Sequence, residues 1–215
     1  MTDQSLKQSV LDELNWEPSV KAAHIGVTAR NGVVTLTGHV ESYAEKWAAE
    51  RSAERVTGVK AIAEKLDVRY PSTLDHGDEL LARRALELLS WDVFVPKDKV
   101  KVKIEKGWVT LTGAVDYYFQ KHNAESGIRK LHGVMGVSNE ITIKPSVETS
   151  NVRGNIKSAL SRYAQLEADR ISVAADGGHV TLTGHVDSFH ERNLAATTAW
   201  SAPGVTHVEN LLTVS

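Results

Sequence analysis

The sequence predicts an α+β protein of three tandem α-β-β-α-β units, each a three-stranded sheet with two helices packed on one face. Three observations lead there. The pentapeptide Val-Thr-Leu-Thr-Gly occurs at Val34–Gly38, Val109–Gly113 and Val180–Gly184. A Gly-Val pair stands twenty residues after each motif glycine, at Gly58-Val59, Gly133-Val134 and Gly204-Val205. The same register runs upstream without a gap, aligning Leu14 with Leu89 and Leu160, and Val27 with Val102 and Val173. Self-similarity at one period marks a repeated structural unit, here of about sixty-two residues. The units occupy 1–70, 76–145 and 150–215, with short linkers around Pro71 and Pro145.

Each element follows from its pattern. Leu6, Val10 and Leu14 recur at helical spacing, as do Leu81, Ala85 and Leu89, and Val152, Ile156 and Leu160, so every unit opens with an amphipathic helix. Pro18 and Pro96 help to end it in the first two copies. Two short alternating runs follow, separated by Asn31-Gly32, Lys106-Gly107 or Gly177-Gly178, which suit a hairpin turn needing positive φ. Pairing outward from Lys106-Gly107 sets Ile104 beside Val109 and Val102 beside Leu111 on the core face, with Lys103 beside Thr110 and Lys101 beside Thr112 on the other. Capping patterns Ser42-x-x-Glu45 and Ser188-x-x-Glu191 announce a second helix, and Tyr117 and Gln120 take those places in the middle copy. Its inward stripe is mostly small, as in Ala49 and Ala53 or Ala195 and Ala199, and lets it sit close to the sheet. The glycine turn then leads into a third strand.

Composition narrows the function classes. With 215 residues, 41% apolar and 24% charged, the chain has the balance of a globular protein. Twenty-five basic against 27 acidic side chains leave a net charge of −2, so the broad basic field of a nucleic-acid binder is missing. Zero cysteines exclude disulfides, thiolate nucleophiles and Cys-type zinc sites. No run approaches the ~18 apolar residues of a membrane-spanning helix. The acids Asp3, Asp12, Glu13 and Glu17 and the lack of an apolar core in the N-terminal segment predict a cytoplasmic protein, with the periplasm as the alternative if a leader preceded residue 1.

Catalytic motifs fail one by one. Gly-x-Ser-x-Gly, Gly-x-Gly-x-x-Gly and the phosphate-binding loop are absent, and His190-Glu191 does not complete His-Glu-x-x-His. The chain is therefore expected not to be an enzyme and to need no cofactor. His39 and His185 follow motif glycines at equivalent positions, but Ala114 fills that slot in the middle copy and no third ligand accompanies them, so no metal site is assigned.

The unit, with its central Val-Thr-Leu-Thr-Gly, amphipathic helix and closing Gly-Val before a strand, resembles the BON domain of bacterial osmotic-shock and nodulation proteins. The resemblance covers nearly the whole chain. It implies a non-enzymatic module that binds phospholipid surfaces or partner proteins under osmotic or envelope stress. It supplies no ready-made site, and the motif glycines Gly38, Gly58, Gly113, Gly133, Gly184 and Gly204 read as structural.

One repeat differs from the others. Lys97, Lys99, Lys101 and Lys103 alternate with Asp98, Val100, Val102 and Ile104, and on one strand would form a continuous cationic row. The aligned residues are Ala22, His24, Gly26 and Thr28 in the first copy, and Ala168, Arg170, Ser172 and Ala174 in the third. The middle repeat also carries Tyr117-Tyr118-Phe119 at the start of its second helix, then Lys121, Arg129 and Lys130. Rings at headgroup level with lysines beside an anionic surface are the means of peripheral membrane contact. The middle repeat is thus expected to dock on anionic phospholipid or another anionic surface. The same residues also fit a solvated strand edge guarded by lysine, with the aromatics buried against a neighbouring repeat. The alternative class is a protein-interaction or chaperone-like scaffold. In it the marginal sixty-residue units pack on one another or self-associate through Thr-bearing sheet faces or exposed tryptophans such as Trp47. Oligomeric state is left open.

Overall fold

A computed structural model describes residues 2–70, 77–145, 151–163 and 168–214. Most of both expected linkers, 71–76 and 146–150, lies outside the described residues. The first unit runs α1 (Asp3–Trp16), β1 (Ile25–Arg30), β2 (Val33–Val40), α2 (Tyr43–Arg55) and β3 (Ala61–Val68). The second runs α3 (Asp78–Trp91), β4 (Val100–Glu105), β5 (Trp108–Val115), α4 (Tyr118–Ile128) and β6 (Gly136–Ile143). The third runs α5 (Val152–Leu160), β7 (Ile171–Asp176), β8 (His179–Val186), α6 (Phe189–Trp200) and β9 (His207–Val214). Each unit has its own sheet, in strand order β1-β2-β3, β4-β5-β6 and β7-β8-β9. The first two strands form an antiparallel hairpin, and the third joins the central strand in parallel across the second helix.

The hairpin register is the one the turn residues dictate. Lys101 faces Thr112, Val102 faces Leu111 and Ile104 faces Val109. Asn31 and Lys106 sit at φ 52°, and Gly32 and Gly107 follow at 82° and 76°, two consecutive positive φ values as a tight hairpin requires. The motif glycine has a different task. Gly38, Gly113 and Gly184 lie at φ 118°, 136° and 127°. A Cβ there would overlap the carbonyl oxygen of His24, Lys99 or Arg170, where the chain enters the first strand. Val-Thr-Leu-Thr-Gly therefore ends on glycine because two backbones touch.

Each core lies between the sheet and its two helices. Leu6, Val10 and Leu14 meet Val34, Leu36 and Val40, with Ala49 and Ala53 of α2 fully buried between them. The other units repeat this with Leu81, Ala85, Leu111 and Ala124, and with Ile156, Leu160, Leu182 and Ala195. Ser42 and Ser188 accept from the backbone of Glu45 and Glu191 at 3.1 and 3.2 Å. In α4, Gln120 takes over and accepts from the backbones of Asp116 and Tyr117.

The units close into a ring through their second helices. Tyr43, Tyr118 and Phe189 occupy one repeat position, and each reaches into the following unit. Tyr43 packs on the core of the second unit, Tyr118 stacks on Trp200 of the third at 4.9 Å and 14°, and Phe189 packs on the core of the first. One turn further on, the Arg129 guanidinium lies 5.0 Å over the ring of Trp47, and Asn193 Nδ2 donates to Glu54 at 2.9 Å. Tyr70 adds a tie between the first two units, its hydroxyl donating to the Val134 carbonyl at 2.5 Å and its ring edge-on to His132 at 4.5 Å. The contacts run first to second, second to third and third to first, a head-to-tail interface whose rotation closes within one chain. Within the chain the units therefore meet through their second helices and not through the Thr-bearing sheet faces. Trp47 of α2 does take part, under the Arg129 guanidinium, while the Thr rows stay outward.

The ring interior carries charge that burial opposes. Burial, then the Glu54 and Glu64 carboxylates, raise the Glu50 pKa, with Lys46 and Arg129 pulling the other way. Burial likewise raises Glu54, against Arg51 and Arg192 and the amide of Asn193. A carboxyl whose folded pKa lies above its unfolded value stabilises the fold below the unfolded value and loses that contribution as pH rises through the folded one. Glu50→Gln is therefore expected to raise the urea midpoint at pH 8, with the gain vanishing as pH falls below about 4.3. Urea titrations of both chains across that range check it.

Candidate functional site

The middle unit places its unusual residues in three different surroundings. β4 begins at Val100, and Lys97 and Lys99 lie in the preceding turn, where Asp98 takes φ 61°. A left-handed residue breaks the two-residue alternation, so the four lysines do not form one strand row. Lys101 and Lys103 do share the outward sheet face, where Lys103 Nζ meets Glu105 at 3.4 Å. This is an exposed pair and holds little energy.

The second group is largely withdrawn from solvent on α4 and at its C-terminal end. Tyr118 is half-buried against Trp200, and burial, then Glu125, raise its pKa. Lys121 is half-buried on the same helix, and burial lowers its pKa. Arg129 pairs with Glu125 and covers Trp47, and its Nε is buried without a hydrogen-bond partner. Tyr118 and Arg129 thus serve the joints between units, where a helix face turned inward cannot meet a surface, while Lys121 lies within its own unit, its carbonyl accepting from Asn139 of β6. Lys130, just past the end of α4, is exposed.

The third group is a cluster that the sequence reading found only in part. Tyr117 is exposed, and its ring stacks on Phe119 at 5.7 Å; Phe119 in turn meets Phe94 edge-on at 6.0 Å. Phe94 and its neighbours Trp91 and Val93 are 56%, 80% and 89% exposed, a concentration of apolar surface at one end of the unit. Beside it a groove of about 520 Å³ is lined by Leu86, Trp91, Pro96 and Lys97 among others. The Val100–Gly113 pairing brings Lys99 to the same end as Ala114 to Tyr117. Val93 and Phe94 stand where the first unit has Pro18 and Ser19, and Phe119 where the outer units have Ala44 and His190. The available signal was Trp91-Asp-Val-Phe94-Val-Pro96, an apolar run in a loop with neither helical nor strand period. Among the described residues no three His, Cys, Asp or Glu side chains gather as a metal-holding group. Nor is any described helix long and apolar enough to cross a membrane.

These features define a class: a tandem repeat of small α-β-β-α-β modules, tied by their second helices, with one module carrying an apolar, lysine-flanked tip. The pattern of the BON domain matches residues 2–70, 77–145 and 148–215, and the chain belongs to the BON family. It is 33% identical over 148 residues to osmotically-inducible protein Y of Escherichia coli (strain K12), a match covering 67% of this chain and 74% of that protein. Among solved structures, CdsD, a structural protein of the type III secretion system of Chlamydia trachomatis, matches over 98% of this chain and 92% of its own, with 16% identity and a TM-score of 0.27. The C-terminal domain of CdsD matches over the full length of both chains with 16% identity and a TM-score of 0.26.

Proposed function

We propose that this chain is a binding module of the osmotic-stress response that docks on anionic phospholipid through the tip of its middle unit. The observation that carries this reading is the convergence of exposed Trp91, Val93, Phe94, Tyr117 and Phe119 with Lys97 and Lys99 at one end of one unit. Exposed rings seat at headgroup depth, and each lysine near an anionic surface adds about 1 kcal/mol, so Lys97, Lys99 and Lys101 together contribute about 3 kcal/mol. Docking of that strength is reversible and weakens as salt rises. The kinship with a protein named for osmotic induction supports the stress setting and favours the periplasmic alternative over the cytoplasmic one, since the envelope meets an osmotic change first. We expect the chain to work by binding rather than catalysis.

Cosedimentation with phosphatidylglycerol-containing vesicles tests the reading. The full chain should pellet with them, remain free with phosphatidylcholine alone, and release as salt rises. Replacing Lys97, Lys99, Lys101 and Lys103 by glutamine should lower binding by roughly a hundredfold, the factor that loss of about 3 kcal/mol allows. Phe94→Asp should remove most of the remainder. Equal binding by the quadruple variant would sink the proposal. Salt-insensitive association between protein chains would favour the scaffold reading, which the outward Thr faces and the half-exposed Trp108 support.

A further inference from the structure

The outward sheet face of the third unit carries a pair of histidines that the repeat places nowhere else. His179 opens β8 and His207 opens β9, and the parallel register sets them directly side by side. The equivalent pairs are Val33 with Ala61 in the first unit and Trp108 with Gly136 in the second. Both imidazoles are exposed, their centroids 5.3 Å apart and their planes tilted by 39°. Two imidazoles on one tetrahedral ion, with metal–nitrogen bonds of about 2.05 Å, would hold their centroids about 5.2 Å apart. The centroid separation already present matches that of two imidazoles sharing one ion.

The surroundings favour a cation. Asp176 lies directly across from His179 on β7, so one row runs Asp176, His179, His207 over all three strands. In the next row Glu209 lies beside Thr181, whose hydroxyl donates to it at 3.5 Å. The Trp200 ring flanks the pair, its centroid 6.5 Å from that of His207 and the two planes at 74°. The other close pair, His24 and His39, differs in kind: its rings stack at 4.6 Å and 17°, so their in-plane lone pairs lie in separate, near-parallel planes and do not meet at one point.

We propose that His179 and His207 form a binding site for a borderline transition-metal ion, of the Zn²⁺, Ni²⁺ or Cu²⁺ class. Imidazole nitrogen selects these ions, whereas Mg²⁺ and Ca²⁺ seek oxygen. Two protein ligands leave the remaining positions to water or an incoming group, so the ion is exchangeable. Asp176 contributes charge outside the ligand set.

Nickel chloride titrated into the full, untagged chain in a non-chelating buffer, followed by calorimetry, tests this. One ion should bind at this site, and His179→Gln or His207→Gln should each weaken it by about tenfold or more. Both side chains are exposed, so the variants should keep the circular dichroism of the parent. The double variant His24→Gln/His39→Gln should bind as the parent does. Absence of binding in the parent, undiminished binding after both His179 and His207 are replaced, or equal loss in the His24/His39 variant would each overturn the assignment.

Discussion

Replacing Gly113 by alanine should unfold the middle unit's hairpin at a cost of about 3 kcal/mol or more. A side chain at φ 136° occupies a region that residues with a Cβ rarely enter, at about 1–3 kcal/mol. The added carbon must also displace the Lys99 carbonyl, which belongs to the backbone and cannot swing aside. Lys99 leads directly into β4, so relief of the overlap pulls the edge strand from Leu111 and Val109. A unit of this size has only a few kcal/mol to lose. Thermal unfolding monitored by circular dichroism should show a separate, lower transition. Alanine at Gly77, where a Cβ meets nothing, should leave the melt unchanged.

The second large effect lies at the ring's joints. Trp200→Ala removes the stack with Tyr118 and part of the third unit's own packing. Its expected cost is about 2–3 kcal/mol, below that of a fully buried tryptophan because the ring is only half-buried. Opening one joint of a closed ring leaves the three units in a line held by the other two joints. Small-angle scattering should therefore report growth from the radius of gyration of about 17 Å expected of a compact chain this long. An unchanged radius with a lowered melting point would mean that Trp200 stabilises only its own unit.

Much of this molecule was legible in its sequence because each signal was local. Two-residue alternation around Lys106-Gly107 determines which side of the hairpin is core, and the structure has that register residue for residue. The Gly-Val turns mark the start of each third strand. The small stripe of Ala49 and Ala53 shows which helix must lie closest to its sheet. Periodicity failed where the backbone left its regular state: Asp98 took a left-handed conformation, and the alternation of lysines across it did not become a row. The candidate site was split for a related reason. Tyr117 and Tyr118 are adjacent in sequence, but Tyr117 is the extended residue that caps α4 and Tyr118 is its first helical residue, so their side chains leave in different directions. One faces solvent with Phe119 while the other enters the ring beside Trp200.

By itself, then, the sequence determined the number of units, the succession of helices and strands in each, the hairpin register of the first two strands, and most of the buried stripes, whereas the parallel placement of the third strand beside the central one came from the structure. The features legible in sequence depend on spacing within about sixty residues, and the threefold repetition reads each of them three times. Only the tertiary structure decided that the units close through α2, α4 and α6, that Tyr118 and Arg129 belong to those joints, and that Phe94 meets Phe119. It also decided that His179 and His207 stand side by side. Those contacts join residues from separate helices, strands and loops, and a repeat pattern carries no information about which outward faces meet.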